Sequence, residues 1–305
     1  MEYIIETKNL TKQYGAAIVV NDINLHVPKG KIYGLLGRNG AGKTTAMKMI
    51  LQLVCPTYGT IRLFGTDYKE NRHAIYGKVG SIIETPGFYN NLTGYENLYI
   101  IDKLRGQPCK NSVRRALEMV GLDKEKSKVF SDYSLGMKQR LGIAAAIMHE
   151  PDLLILDEPI NGLDPIGISD MRSLLCELSH NKGTTIFISS HALREIEQIA
   201  DIIGVMHEGC LVEEVNMAEL HKRNCKYIEF DLSDRKLAAE ILENRHQITD
   251  YSIEGNTIKI YDYTQNAGEI NKSFIENGIL VTKINACEEN LEEYFLKLIG
   301  GGGIA

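Results

Sequence analysis

The sequence predicts an α/β protein of two unequal domains: a domain with a parallel sheet over residues 1–217 and a smaller α+β domain over 223–305. Three observations carry this reading. The chain has 305 residues, about twice the usual length of one domain. Up to Met217, short β-rich runs alternate with amphipathic helical stretches, the pattern of parallel strands joined by crossover helices. Beyond about residue 222, shorter strands and helices alternate around a Gly255-Asn256 pair, whose tolerance of positive φ marks a hairpin turn.

In chain order, KIYGLLG (31–37) reads as a buried strand that runs straight into GRNGAGKTT. A helix AMKMILQLV (46–54) follows and is expected to stop at Pro56. Residues from about 87 to 150 carry helical patterns in ENLYIIDKLRG and SVRRALEMVG with few strand signals, so a helical subdomain is expected inside the first domain. Strand character returns at LLILDEP (153–159) and TTIFISSH (184–191). The second domain reads as strand YIEFDL, helix RKLAAEILENR, hairpin YSIEGNTIKIYD, helix GEINKSFIEN, strand ILVTKIN and helix NLEEYFLKLI. In that last helix Glu288, Glu289, Glu292 and Glu293 form a solvated face opposite Leu291, Tyr294, Phe295 and Leu298, and the terminal GGGG (300–303) reads as a frayed end.

Composition narrows the classes. Apolar residues at 44% and charged residues at 24% are ordinary globular usage and exclude disordered, collagenous and disulfide-scaffold chains. With 34 Lys+Arg against 40 Asp+Glu the net charge is −6, so the basic footprint of a nucleic-acid binder is missing and nucleic acid is not an expected partner. No apolar run approaches the roughly eighteen residues a membrane helix needs, and the N-terminus lacks a basic start with an apolar stretch, so a cytosolic chain is expected. The six cysteines (Cys55, Cys109, Cys176, Cys210, Cys225, Cys287) form no C-x-x-C pair and are expected to be reduced packing residues.

The first chemical signal is a phosphate loop. Gly37, Gly40 and Gly42 stand at the spacing G-x-x-G-x-G-K-T, where absent side chains let backbone N–H groups converge on a phosphate at the positive end of the next helix. Lys43 supplies charge to the β- and γ-phosphates and Thr44 a hydroxyl to Mg²⁺. The second signal is the acidic strand end of LLILDEP. Its four apolar residues make a buried strand whose C-terminal edge presents Asp157, suited to Mg²⁺, and Glu158, suited to polarise an attacking water as general base.

A third set specifies the class. YSLGMKQRLGIAAAI (133–147) precedes LLILDEP, then comes NGLD (161–164), then a His ending the strand FISSH (187–191). In this motif order the sequence resembles the ATP-binding subunits of ABC transporters over essentially all of residues 1–217. The resemblance implies a P-loop NTPase cassette with β-rich and helical subdomains, an ATPase with ATP and Mg²⁺ as its ligands. It implies that Gly37, Arg38, Asn39, Gly40, Ala41, Gly42, Lys43, Thr44 and Thr45 form the Walker A loop, and that Tyr14 in TKQYG stacks on adenine. It makes Asp157 and Glu158 the Walker B aspartate and catalytic glutamate, and His191 the switch histidine facing the γ-phosphate. Ser134 and Gly136 fall in the signature motif and Asp164 in the D-loop. Each also has a plainer role: a half-buried strand Tyr, a structural His, and a Ser that caps a helix.

Two departures from the family pattern stand out. The signature, usually LSGGQ, is Tyr133, Ser134, Leu135, Gly136, Met137, which keeps Ser134 and Gly136 but loses a polar side chain at Met137. The loop after VGSII carries Glu84 where the family has Gln, placing a carboxylate near Mg²⁺ and the γ-phosphate. Glu84, its context IIETPGFYNNLTGYENL and the short α+β appendix resemble the ATPases of bacitracin-resistance and lantibiotic self-protection exporters of Gram-positive bacteria. That resemblance implies separate permease chains in the membrane, a cassette held at its inner face, and two cassettes closing head to tail so that Ser134 and Gly136 of one complete the site of the other. Contact with the permease is expected through the Glu84 loop and the surface from Phe88 to Tyr95. A P-loop GTPase would show N-K-x-D, which is missing, and a non-transport ABC protein would carry two cassettes or a coiled-coil insert.

Overall fold

The computed structural model describes residues 2–67, 75–83, 87–106, 111–223, 226–261, 266–288 and 295. It divides into two compact units, Met1–Ala218 and Glu219–Ala305.

In the first unit, over the described residues, β1 (Tyr3–Tyr14), β2 (Ala17–Ile23), β3 (His26–Pro28), β5 (Tyr58–Leu63) and β6 (Thr66–Asp67) form an antiparallel sheet. The second sheet orders β11-β10-β4-β9-β8-β7 from β4 (Ile32–Leu36), β7 (Val79–Ile82), β8 (Leu153–Asp157), β9 (Thr185–Ser190), β10 (Ile202–His207) and β11 (Cys210–Asn216). Its pairs are parallel except the hairpin β10/β11. The antiparallel N-terminal sheet departs from the parallel α/β reading of that stretch: the turns at Tyr14–Ala17 and Leu63–Thr66 are too short for crossover helices, which forces hairpins.

The central strands are apolar throughout because both faces are covered. Leu153, Leu154, Ile155 and Leu156 have no solvent exposure, nor do Ile186, Phe187 and Ile188. Tyr33 and Phe187 pack tilted at 5.5 Å within this layer. Each such side chain contributes about 1.5–3 kcal/mol by leaving water.

Helix α1 (Lys43–Ile50) ends six residues before Pro56, earlier than its apolar pattern predicts. Gln52 takes a left-handed φ of 57° and Leu53 N–H turns back to the Lys48 carbonyl, so the backbone closes the helix before proline can. The helical segment comprises α2 (Gly94–Leu104), α3 (Ser112–Met119) and α4 (Leu135–Ile147). A capping box fixes the start of α2: Thr93 accepts from Glu96 N–H, and Glu96 accepts from Thr93 N–H. Helices α5 (Pro165–Cys176) and α6 (Leu193–Glu197) complete this unit, and α7 (Met217–Arg223) runs across the division.

The second unit runs β12 (Lys226–Leu232), α8 (Arg235–His246), β13 (Tyr251–Glu254), β14 (Thr257–Ile260), α9 (Ala267–Glu276) and β15 (Val281–Glu288). Its antiparallel sheet is ordered β13-β14-β12-β15, a split βαββαβ arrangement. Ile228, Phe230, Ile258, Ile260, Leu242, Ile270 and Phe274 close its core. Of the sequence-predicted last helix, Glu288 instead ends β15, and the rest lies outside the described residues apart from Phe295, which is fully buried. The GGGG end lies outside them too.

The cysteines are corrected in part. Cys55, Cys176 and Cys210 are free, but Cys55 and Cys210 are exposed: Cys55 lies in the irregular segment after α1, and Cys210 is the first residue of β11, an edge strand of its sheet. Cys109 and Cys225 lie outside the described residues.

Candidate active site

The parallel order β4-β9-β8 brings three strand ends side by side at one edge of the sheet. From β4 the chain passes through residues 37–42 into α1, whose first residue is Lys43. Gly37 and Gly42 are required sterically: a Cβ would lie 2.5 Å from the Met206 carbonyl at the first and 2.7 Å from the Val19 carbonyl at the second, where φ is also +99°. The loop is thus wedged between β2 and β10, and the N-cap of α1, Gly42, offers no side-chain acceptor to the helix's free N–H groups. Those donors and the helix dipole remain for an anion.

The Lys43 side chain is 5% exposed. Its ammonium donates to the Gly37 carbonyl at 2.6 Å and the Arg38 carbonyl at 3.2 Å, and stands 3.3 Å from Glu158 Oε1. Glu158 follows the last residue of β8 in a left-handed conformation, φ 49°, which turns its side chain back across the loop. Its other oxygen, Oε2, lies 2.7 Å from His191 Nδ1. Asp157 accepts from the Thr44 hydroxyl at 2.8 Å on Oδ2 and from the Ser189 hydroxyl at 2.5 Å on Oδ1. Lys43, Thr44, Asp157, Glu158 and His191 are therefore joined in one network by side chains from β8, α1 and the end of β9.

Glu195, on α6, borders this network. Burial pushes its carboxyl above the ordinary carboxylate range, His191 and Arg172 pull it down, and Glu158 adds to the rise.

Ser134 caps α4, accepting from Met137 N–H at 3.3 Å, and Asp164 caps α5, accepting from Gly167 N–H at 2.9 Å. The two caps belong to one corner: Gln139 donates to the Asn161 carbonyl at 3.0 Å, and a Cβ on Gly162 would meet Leu135 at 3.0 Å. Gly136 has room, with Leu163 3.5 Å from the place of a Cβ. Met137 is buried, its sulfur 3.8 Å from Lys128 Nζ. A cavity of about 300 Å³ separates Leu135, Lys138 and Gln139 of α4 from Asp157 and Glu158. Tyr14 ends β1 with its ring half exposed and Lys12 Nζ 4.7 Å from its centroid. Arg38 and Asn39 are exposed at the loop's tip. Ala41 is buried and Thr45 half-buried, and Glu84 lies outside the described residues.

Sequence reasoning missed Ser189. A polar residue inside the apolar run TIFIS carried the signal, since a buried hydroxyl demands a partner.

A glycine-lined phosphate loop between a parallel strand and a helix, a neighbouring acidic strand end and a histidine at the next strand define the class: a P-loop ATPase of the ATP-binding cassette type. Comparison with known proteins agrees. A family model described as ABC transporter matches residues 20–161. The chain is 75% identical to the bacitracin transport ATP-binding protein BcrA of Enterococcus faecalis, over 100% of this chain and 99% of that one. It is 43% identical to the lantibiotic transport ATP-binding protein SrtF of Streptococcus pyogenes, over 69% of this chain and 90% of that one. A solved structure of an ATP binding subunit of an ABC transporter, 31% identical, superposes with a TM-score of 0.64 over 72% of this chain and 92% of its own. The chain belongs to the ABC transporter family as one of its ATP-binding subunits, and it is an ATPase.

Proposed function

We propose that this chain is the motor of an exporter that protects a bacterium against a peptide antibiotic of the bacitracin type, working on a separate membrane permease. The observation that carries the catalytic part is the Glu158 carboxylate held between Lys43 at 3.3 Å and His191 at 2.7 Å, at the mouth of the phosphate loop. The substrate rests on the 75% identity to a bacitracin transport subunit, which runs the length of both units. A lantibiotic is the second reading, supported by a relative that matches 69% of the chain.

The residues do the following work. The free N–H groups at the start of α1 and the Lys43 ammonium bind the phosphates of ATP, with Lys43 exchanging the Gly37 and Arg38 carbonyls for phosphate oxygens. Tyr14 gives its exposed ring to adenine. Glu158, released from Lys43 by that exchange, takes a proton from the attacking water, and His191 orients it. The Thr44 hydroxyl and Asp157 carboxylate are hard oxygen donors 2.8 Å apart, the small protein share that suits Mg²⁺. Bound there with the nucleotide, Mg²⁺ would neutralise phosphate charge. Ser134 and Gly136, at the start of α4, meet the γ-phosphate held by a second copy, so that ATP binding closes a head-to-tail dimer and hydrolysis reopens it. Among the described residues no helix is long and apolar enough to cross a membrane, and in this reading the cassette works at the cytoplasmic face of its permease. The exposed Tyr89, Tyr95 and Tyr99 offer the docking surface for that partner.

The test is co-expression with the adjacent permease in a sensitive Gram-positive host. Protection against bacitracin that disappears with Glu158→Gln is the expected result. Protection against lantibiotics alone would move the substrate to the second reading, and protection against neither would remove the exporter reading.

A further inference from the structure

Ser189 stands where the two carboxylate-bearing residues of the site meet, and it touches both. It is fully buried, one residue before the end of β9, just after the apolar run Ile186–Ile188. The parallel register of β8 and β9 sets Asp157 directly opposite Ser189. Its hydroxyl accepts from Glu158 N–H at 2.9 Å and stands 2.5 Å from Asp157 Oδ1. A serine hydroxyl has one proton, and an ionised carboxylate and an N–H leave a single consistent arrangement: the N–H gives to Ser189 Oγ and Ser189 gives its proton to Asp157.

We infer that Ser189 is a positioning residue for hydrolysis, which sets the Asp157 carboxylate for its cation and the Glu158 backbone for its role as base; the inference rests on the roles proposed above for those two residues. Asp157 is held on one oxygen by Thr44, which approaches from the nucleotide side, and on the other by Ser189, which approaches from the sheet. The Thr44 oxygen is the one expected to be shared with Mg²⁺. Ser189 is then the anchor that does not change partners when ligand arrives. Glu158 gives the second half of the argument. Its φ of 49° is an uncommon conformation for a residue with a β-carbon and needs outside support to persist. The bond from its own N–H to Ser189 supplies that support at the residue that must aim its carboxylate between Lys43 and His191. The next two residues extend the same strip, since the Ser190 carbonyl accepts from Gly37 N–H at 3.3 Å and His191 meets Glu158. The end of β9 thus ties the phosphate loop, the acidic strand end and the base together, and Ser189 is its buried link.

The experiment compares Ser189→Ala, Ser189→Cys and Glu158→Gln in the full chain, measuring kcat and KM for ATP and the Mg²⁺ concentration that half-saturates nucleotide-dependent thermal stabilisation. Loss of an outer hydrogen-bond partner of a metal carboxylate commonly costs roughly 10- to 100-fold. Ser189→Ala is expected to lower kcat by about that factor and to raise the half-saturating Mg²⁺ severalfold. KM for ATP should move less than threefold, and stabilisation by nucleotide without Mg²⁺ should be retained, which shows a folded phosphate loop. Ser189→Cys, similar in size but a weak donor, should fall between the alanine variant and the natural chain. If Ser189→Ala does not fold, Ser189→Cys alone decides through the same Mg²⁺ and kcat readings. Glu158→Gln separates the two claims. Turnover surviving in Glu158→Gln would overturn the assignment of the base. Turnover lost there, with kcat and Mg²⁺ half-saturation within twofold of the natural chain in the Ser189 variant that folds, would overturn the inference about Ser189.

Discussion

The six-stranded sheet of the first unit has central strands buried along almost their whole length and the four-stranded sheet of the second has strands that alternate, and among the described residues the first gathers chemistry at its edge while the second does not. In the first, β4, β9 and β8 run parallel, so their C-terminal ends lie together and the segments that follow them deliver Lys43, His191, Asp157 and Glu158 to one place. In the second, neighbours run antiparallel and their ends alternate between the two edges. Its polar side chains consequently serve local ends: Asp234 caps α8, Asn266 caps α9, and Tyr251 donates to Glu243 at 2.6 Å. The lesson is that strand direction decides whether buried apolar packing becomes a site or only a scaffold.

The contrast is most exposed to attack at Glu158. Replacing it with Gln keeps the shape and removes the base, and ATP turnover should fall by at least about 100-fold while ATP still binds. Retained turnover would leave the shared edge without its catalytic meaning. A core truncation in the other unit should do the reverse. Phe274 is fully buried and meets Phe230 edge-on at 5.4 Å, so Phe274→Ala should cost that unit about 3–5 kcal/mol in calorimetry while ATPase activity stays within about twofold. An equal loss of activity would mean that the two units are one energetic system.

pH offers a finer probe of the first unit. Burial, and then the charge of Arg105, push the His149 imidazole down from 6.5 to about 4, against a raising hydrogen bond to the Val79 carbonyl. The folded state therefore holds His149 neutral while the unfolded chain takes up a proton first. The stabilisation is complete above pH 6.5 and is lost as pH falls towards 4, and partial exposure limits it to about 1–2 kcal/mol. His149→Gln should remove that part of the pH dependence of the melting temperature; an unchanged profile would place the acid sensitivity elsewhere. The smallest expected effect is in the second unit, where Asp234 accepts from Lys236 N–H and Leu237 N–H. Asp234→Ala should cost about 1 kcal/mol in denaturant unfolding, and no loss would show that water replaces the cap.

Much of the fold could be read in the chain because its signals are local. Continuous apolar runs such as LLIL and IFI mark strands covered on both faces, and Gly255-Asn256 marks a hairpin, with Gly255 at φ 61°. The end of α1 was misjudged because Gln52 gives no sequence warning of its left-handed turn, whereas Pro56 does. The exposure of Cys55 and Cys210 is not legible in the sequence because residue type reports average burial, while a place after a helix end or at the start of an edge strand overrides it.

In the site, spacing singled out the phosphate loop, Asp157 and Glu158, because each motif is a run of residues held by its own backbone, whereas His191 came only with the resemblance to ABC transporter subunits. The order of residues along the chain sets the chemical groups and the local segments that display them: glycines that let backbone N–H groups converge, a lysine at a helix start, carboxylates at a strand end. Which of them touch is settled by the packed fold. Lys43 reaches Glu158 and Ser189 reaches Asp157 across separations of 115 and 32 positions, and strand order and register alone set those approaches. The physical reason is range: dihedral preference and hydrophobic period act over a few residues, whereas a 2.5 Å hydrogen bond between two strands exists only after the sheet has chosen its neighbours.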